Sequence, residues 1–259
     1  MVKAELPSRR RPELPPLEQH HTADILLTNV IDYATVNDPR ELNTKLWPKL
    51  HTGIDRIDVG RAMSFGGVSH EGQYRTLRQP RAPFIVHPLG VTHLIADYFG
   101  DEVTTPQLQV GLLHDTVEDG RINREPVTPD IIEGEFGKLV TDGVVAMTNH
   151  DGNAERYYRD LSVADKKYPE LELITIKVLD RMINLLDPST GELSPKAKEK
   201  RRRKIQDTKE RFIPLLLTNP KYQPLEEALE RCLQLSEATI TIPDFVPTKW
   251  AANVKQRSG

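Results

Sequence analysis

Apolar residues recur at helical spacing along most of the chain from about Thr22 onward. Val91, Leu94, Ile95 and Tyr98 form one stripe, in a segment that Pro88 opens and Gly100 closes. Thr105 as N-cap and Pro106 as first helical residue open a second segment, expected as one helix from Pro106 to Asp119 with Gly120 after its last turn. Thr128, Pro129 and Gly137 bracket a third helix, and Ser194 with Pro195 opens a fourth. Between these, Glu170 to Asp187 reads as a long helix with Leu171, Ile174, Val178, Met182 and Leu185 on one face. Leu225, Ala228, Leu229, Cys232 and Leu235 form another stripe, which suits a core-covering or oligomer-forming helix. Strand-type alternation is nearly absent, and only Thr239–Ile242 reads as a short extended piece. The expected fold class is all-α, with helices packed around one core.

Composition sharpens this picture at the ends. With 259 residues the chain has room for one or two domains and a substantial core. Hydrophobic residues make up only 37%, and the shortfall falls on residues 1–22, a Pro- and Arg-rich stretch expected to be a flexible tail. A helical domain is expected over 23–219 and a helical extension over 220–259. The net charge of −3 argues against bulk nucleic-acid binding, so any phosphate affinity must be local. A single cysteine, Cys232, rules out an intramolecular disulfide and a cysteine-type zinc site. There is no apolar run of membrane-spanning length and no signal-peptide core, so a cytoplasmic protein is the default expectation.

The densest chemistry lies in LLHDTVED. His114 and Asp115 are adjacent, and Glu118 and Asp119 follow one turn later on the same helical face. Three carboxylates in five residues repel unless a cation or water lies among them. A solvated acidic helix end is the plain alternative, though acidic residues are disfavoured at a helix C-terminus. Asp180 sits inside the most apolar helical segment, ITIKVLDRMINLL, and needs a partner there. A salt bridge to Arg181 or another basic residue is the simpler reading of Asp180 taken alone, and a shared metal is the other. His87, just before the expected helix start at Pro88, reads alone as a cap or core histidine. Taken together, two histidines and two carboxylates make a mixed nitrogen–oxygen set suited to manganese, iron or another borderline first-row metal.

Three segments, PFIVHPLGV, QVGLLHDTVEDG and KVLDRMINL, resemble the HD motifs of the RelA/SpoT homologue family. SHEGQYR, EGEFGKLVTDGVVAMT and KRRRKIQDTKERFIPLL resemble its intervening and following segments in order, so the likeness runs from about Ala62 to Leu217. The resemblance implies an HD-domain helical bundle with a single metal site, a stand-alone small alarmone hydrolase. It implies Mn²⁺-dependent release of pyrophosphate from the 3′ position of ppGpp and pppGpp. Residue by residue, it makes His87, His114, Asp115 and Asp180 the metal ligands and Glu118 and Asp119 the pair that positions or deprotonates water. It also makes Asn184 and an arginine substrate contacts.

This sequence departs from the family around the substrate. The link RTLRQPRAPF is about three residues longer, so the base-contacting arginine is Arg75 by upstream motif and Arg78 by distance to His87. Ile183, Leu186 and Asp187 replace a histidine and an Arg-Thr pair of the family. These changes leave open an antitoxin-like hydrolase acting on adenosine alarmones or on pyrophosphorylated tRNA 3′ ends. A non-catalytic nucleotide-binding module is a further alternative, with a homo-oligomer or a cognate toxin as further partners. The basic run Lys196–Lys204 reads as a solvated helix face, with a phosphate or RNA patch as its functional alternative.

Overall fold

The computed structural model describes residues 23–75, 81–187 and 193–241. The tail 1–22, Arg78 and the chain beyond Thr241 lie outside these residues. The described chain is helical apart from two short antiparallel ribbons, β1 (Tyr74–Arg75) with β2 (Ala82–Pro83) and β3 (Arg121–Ile122) with β4 (Glu125–Pro126). Asn123 and Arg124, both at positive φ, make the tight turn of the second ribbon.

The core is built around α4 (Val86–Phe99), which is buried on nearly every side. It packs on α1 (Ala23–Thr35), α2 (Pro39–Leu46), α5 (Thr105–Leu113) and α9 (Leu173–Leu186). A helix enclosed on all sides shows little amphipathicity. Two of its buried polar side chains bond to backbone carbonyls: the Thr92 hydroxyl donates to the Pro88 carbonyl at 2.8 Å, and His93 Nε2 pairs with the Leu42 carbonyl at 2.7 Å. On the other side of α5 lie α3 (Arg56–Ser69) and α7 (Pro129–Met147), and α8 (Ala154–Lys167) packs on α7 and α9. α10 (Pro195–Asp207) and α12 (Gln223–Thr241) pack on α9, and α12 also covers α1. The stripe Leu225, Ala228, Leu229, Cys232 and Leu235 is therefore core, and burial pushes the Cys232 thiol up.

Several boundaries differ from the sequence pattern. Residues 239–241 end α12 instead of forming an extended piece. The helix around Pro88 starts at Val86, so His87 belongs to its first turn. The N-cap of α5 is Thr104, not Thr105, because Gln107 three residues on completes a reciprocal capping box with it. Gly137 closes the first helical stretch of α7 as expected, at φ 78° and ψ 169°, and a second stretch then runs on to Met147 across the kink. α9 begins at Leu173, after Glu172 in left-handed conformation at φ 54°. The expected single helix Pro106–Asp119 is broken. α5 stops at Leu113, and α6 (Thr116–Asp119) restarts after His114 and Asp115.

Candidate metal centre

The break between α5 and α6 aims the His-Asp doublet. Asp115 sits at φ −95°, ψ −4°, and the Thr116 hydroxyl donates to the Leu113 carbonyl at 2.6 Å, closing the turn. Asp115 thereby faces the first turn of α4, which carries His87, while Asp180 enters from the middle of α9. α4 and α5 can approach this closely because residue 111 is glycine. A Cβ there would lie 2.5 Å from Ile95 Cδ1 and 3.0 Å from Thr92 Oγ1.

Four side chains converge. His87 Nε2 lies 3.0 Å from Asp180 Oδ1 and 3.5 Å from Asp115 Oδ2. His114 Nε2 lies 3.3 Å from Asp115 Oδ1 and 3.6 Å from Asp180 Oδ1. The two Nε2 atoms are 3.3 Å apart. Ligands held at about 2.1 Å from one ion sit ~3.0 Å apart at a right angle and ~3.4 Å apart in a tetrahedron, so these separations fit a single cation. His87, His114 and Asp115 place ligand-type atoms within 4.8 Å of one another. His114 Nδ1 is 2.8 Å from the Gly111 carbonyl, which can only accept, so this nitrogen carries the hydrogen and Nε2 is the atom turned to the cluster. The donor set therefore fits a divalent metal.

The electrostatics follow from burial and crowding. Burial, followed by the neighbouring Arg75 guanidinium, pushes His87 down to about 4. Burial also acts to lower His114, but the Asp115 and Asp180 carboxylates outweigh it and carry it up to about 9. Asp180 is held well below the usual carboxylate range: burial opposes this, and Lys177 and the two histidines prevail. Glu118 goes the other way, raised by burial and by the Asp115 charge. Glu118 and Asp119 both stand exposed at the rim of the cluster.

Asp180 does not pair with Arg181. Its second oxygen takes Lys177 at 2.9 Å, and Asn184 Nδ2 donates to Oδ1 at 2.6 Å. Arg181 reaches instead to Asp207 at 3.2 Å and Tyr158 Oη at 2.7 Å. Arg75 lies beside the cluster and is gripped by Asp187, with Nη2 2.6 Å and Nε 3.0 Å from Oδ2. It sits 5.7 Å over the Phe84 ring and 3.4 Å from Asn184 Oδ1. Arg75 and Asn184 are thus brought together beside the cluster, while Arg78 is outside the described residues.

Sequence reasoning passed over Lys177 and His70. Lys177 stands three residues before Asp180, so its helical spacing was a usable signal. His70 is buried near Asp115 and Asp119, its Nδ1 2.9 Å from Gln73 Oε1, and Gln73 Nε2 donates to the Asp119 carbonyl at 2.7 Å. The basic run is not wholly solvated either. Arg201 is buried, donating to the Asp187 carbonyl at 2.7 Å and to Thr239 Oγ1 at 2.5 Å. A cavity of about 440 Å³ between α7 and α8 is lined in part by Asn149 and Tyr157 and contains none of the four converging side chains. Among the described residues, no helix is long and apolar enough to cross a membrane.

No protein-family model matches the chain. It is 32% identical over 171 residues to a GTP pyrophosphokinase of Streptomyces coelicolor, covering 65% of this chain and 18% of that protein. It is 32% identical over 162 residues to a probable guanosine-3′,5′-bis(diphosphate) 3′-pyrophosphohydrolase of Synechocystis, covering 61% of this chain and 19% of that one. The chain thus spans about a fifth of the length of these curated relatives. A solved structure described as a metazoan ortholog of SpoT that hydrolyses ppGpp superimposes with a TM-score of 0.52 at 21% identity. That match covers 68% of this chain and 94% of the other. The chain is therefore a homologue of the RelA/SpoT-type proteins over one segment of their length, with the all-α fold of the SpoT ortholog.

Proposed function

We propose that this chain is a metal-dependent hydrolase that removes pyrophosphate from the 3′ position of ppGpp and pppGpp, leaving GDP or GTP. The observation that carries the reading is the convergence of His87, His114, Asp115 and Asp180 within 3.0–3.6 Å, with Glu118 and Asp119 exposed at its edge. Relatives named as 3′-pyrophosphohydrolases support it. The four residues would hold the cation, and Mn²⁺ suits a set of two imidazoles and two carboxylates. A divalent ion there supplies acidification of a water and offsets charge on the phosphoryl oxygens.

The protein's own groups do the rest. Lys177 and Asn184 fix the two oxygens of Asp180, so that Oδ1 stays turned to the histidines. Glu118, its carboxyl raised by burial and by the Asp115 charge, accepts a proton from the attacking water, with Asp119 beside it on the rim. Water oxygen bonds to the inner 3′-phosphorus, the bond from that phosphorus to the ribose 3′ oxygen breaks, and pyrophosphate leaves as the 3′ oxygen gains a proton. Arg75 and Asn184 form the wall against which the substrate rests.

The test is pyrophosphate release from ppGpp with Mn²⁺, followed beside an Asp119→Asn variant. Release that needs both the metal and Asp119 supports the reading. A folded, metal-loaded protein that releases none sinks it. The grip of Asp187 on Arg75 alters the pocket where the family carries a threonine, so the adenosine analogue belongs in the same assay as the second substrate. The comparisons lend no support to tRNA, a cognate toxin or self-association. The inward turn of Arg201 means that a charge-reversal test of tRNA must use Arg202 and Arg203 alone.

A further inference from the structure

Among the described residues, Lys204 is a cation near the metal cluster that forms no ion pair. Lys204 lies on the inner side of α10, recessed but still partly open to solvent. It feels the pull of Asp180 and the repulsion of Arg181, Arg75 and Lys200. The carboxylates around it are taken. Asp187 holds Arg75 at 2.6 Å, Asp207 holds Arg181 at 3.2 Å, and Asp180 holds Lys177 at 2.9 Å and faces the histidines. Among the described residues, Lys204 meets no carboxylate at ion-pair distance, and neither does the exposed Lys200 beside it. Burial, then Arg181, pushes the Lys204 ammonium down to about 7. A recessed cation among cations is costly unless an anion joins it.

The backbone supports the same conclusion. Directly after α10 the helix widens into one π-type turn over Thr208–Phe212, a distortion that often accompanies functional sites. It is pinned at Lys204: the Thr208 hydroxyl donates to the Lys204 carbonyl at 2.7 Å and Arg181 Nη1 approaches the same oxygen at 3.4 Å. Arg181 thereby clamps α10 to α9 at Lys204, whose ammonium interacts electrostatically with Asp180, Arg181 and Arg75.

We propose that Lys204, with Arg75, forms a phosphate subsite beside the cluster. It takes the terminal phosphoryl group of a diphosphate whose inner phosphorus lies at His87, His114, Asp115 and Asp180. This rests on the reading above that the cluster handles a phosphoryl substrate, and it gives the departing pyrophosphate a named place. Lys204 is a binding residue here, and takes no part in bond making.

The probe is inorganic pyrophosphate, titrated calorimetrically into the full chain in EDTA, so that the subsite is read without metal. Lys204→Gln should weaken binding on the order of tenfold or more, the loss of one charge-assisted contact, while Lys204→Arg stays within about threefold of the parent. Lys204→Met should raise the melting temperature of the unliganded protein and lose the further rise that pyrophosphate gives the parent. A merely structural lysine would not show that opposite pair of shifts. Pyrophosphate affinity within about twofold of the parent in both Lys204→Gln and Lys204→Met overturns the subsite. If the parent binds pyrophosphate through Lys204 yet turns over no alarmone, the hydrolase reading fails and the subsite stands. If the parent turns over ppGpp while Lys204→Gln keeps the parental KM and pyrophosphate inhibition, the subsite alone fails.

Discussion

Asp187 follows directly on the last residue of α9, and the structure gives it a defined task. Its Oδ2 accepts from Arg75 Nη2 at 2.6 Å and Nε at 3.0 Å, and the two side chains are only 8% and 10% exposed. Asp187→Ala would leave a guanidinium in place beside His87 and Lys204 with its main counter-charge gone. Removing one partner of a buried pair costs about 3–5 kcal/mol. Arg75 keeps its position over Phe84 and its approach to Asn184, so the lower end applies, ~3 kcal/mol. For a chain of this size that corresponds to a fall in Tm of roughly 6–12 °C. The double variant Arg75→Met/Asp187→Leu removes both charges and should recover most of the loss. Helix content followed through urea and thermal unfolding reads both. Asp187→Ala within about 0.5 kcal/mol of the parent, or a double variant no more stable than Asp187→Ala, would refute the assignment of Asp187 as the anchor of Arg75.

Three further outcomes are expected. His93 is fully buried, and burial is the main cause of its fall to about 4, so the unfolded chain takes up its proton first as pH drops. Stability should therefore decline between pH 6.5 and 4 by up to ~3 kcal/mol from this residue, and denaturation curves of His93→Gln should show a shallower decline over that window. Gly111→Ala would push a methyl into Ile95 Cδ1 at 2.5 Å and Thr92 Oγ1 at 3.0 Å. It should cost about 1–3 kcal/mol and weaken metal binding by spreading α4 from α5; parental stability and affinity would contradict that. Glu118→Gln should lower kcat at least ~100-fold with metal content unchanged, and a variant with near-parental turnover would remove Glu118 from the proton-accepting role.

Much of the site was legible because its residues break local rules. Asp180 is a carboxylate in an apolar helix, and the His-Asp doublet with Glu118 and Asp119 crowds charge where a helix ends. The helical core was legible from its stripes and from Pro-initiated starts such as Ser194–Pro195, where the Ser194 hydroxyl accepts from Ala197 N at 3.2 Å. The break at His114–Asp115 was not legible, since LLHDTVED keeps helical spacing and holds no proline or glycine; the tertiary arrangement around His87 and Asp180 defines it. Lys177, Arg201 and Lys204 were hidden for a different reason. Long basic side chains are ordinarily solvated, and pattern alone does not show which of them fold back beneath a helix. Glu172 in left-handed conformation likewise has no local sequence cue.

The claim on which the rest depends is that His87, His114, Asp115 and Asp180 hold one divalent ion. It is tested most directly by titrating Mn²⁺ into the purified chain and into His114→Ala, with bound metal counted by elemental analysis and folding checked by circular dichroism. One ion per parental chain, with none retained by a folded His114→Ala, is the expected result. A folded parent that binds no manganese, or a His114→Ala chain that keeps its full ion, would contradict the account.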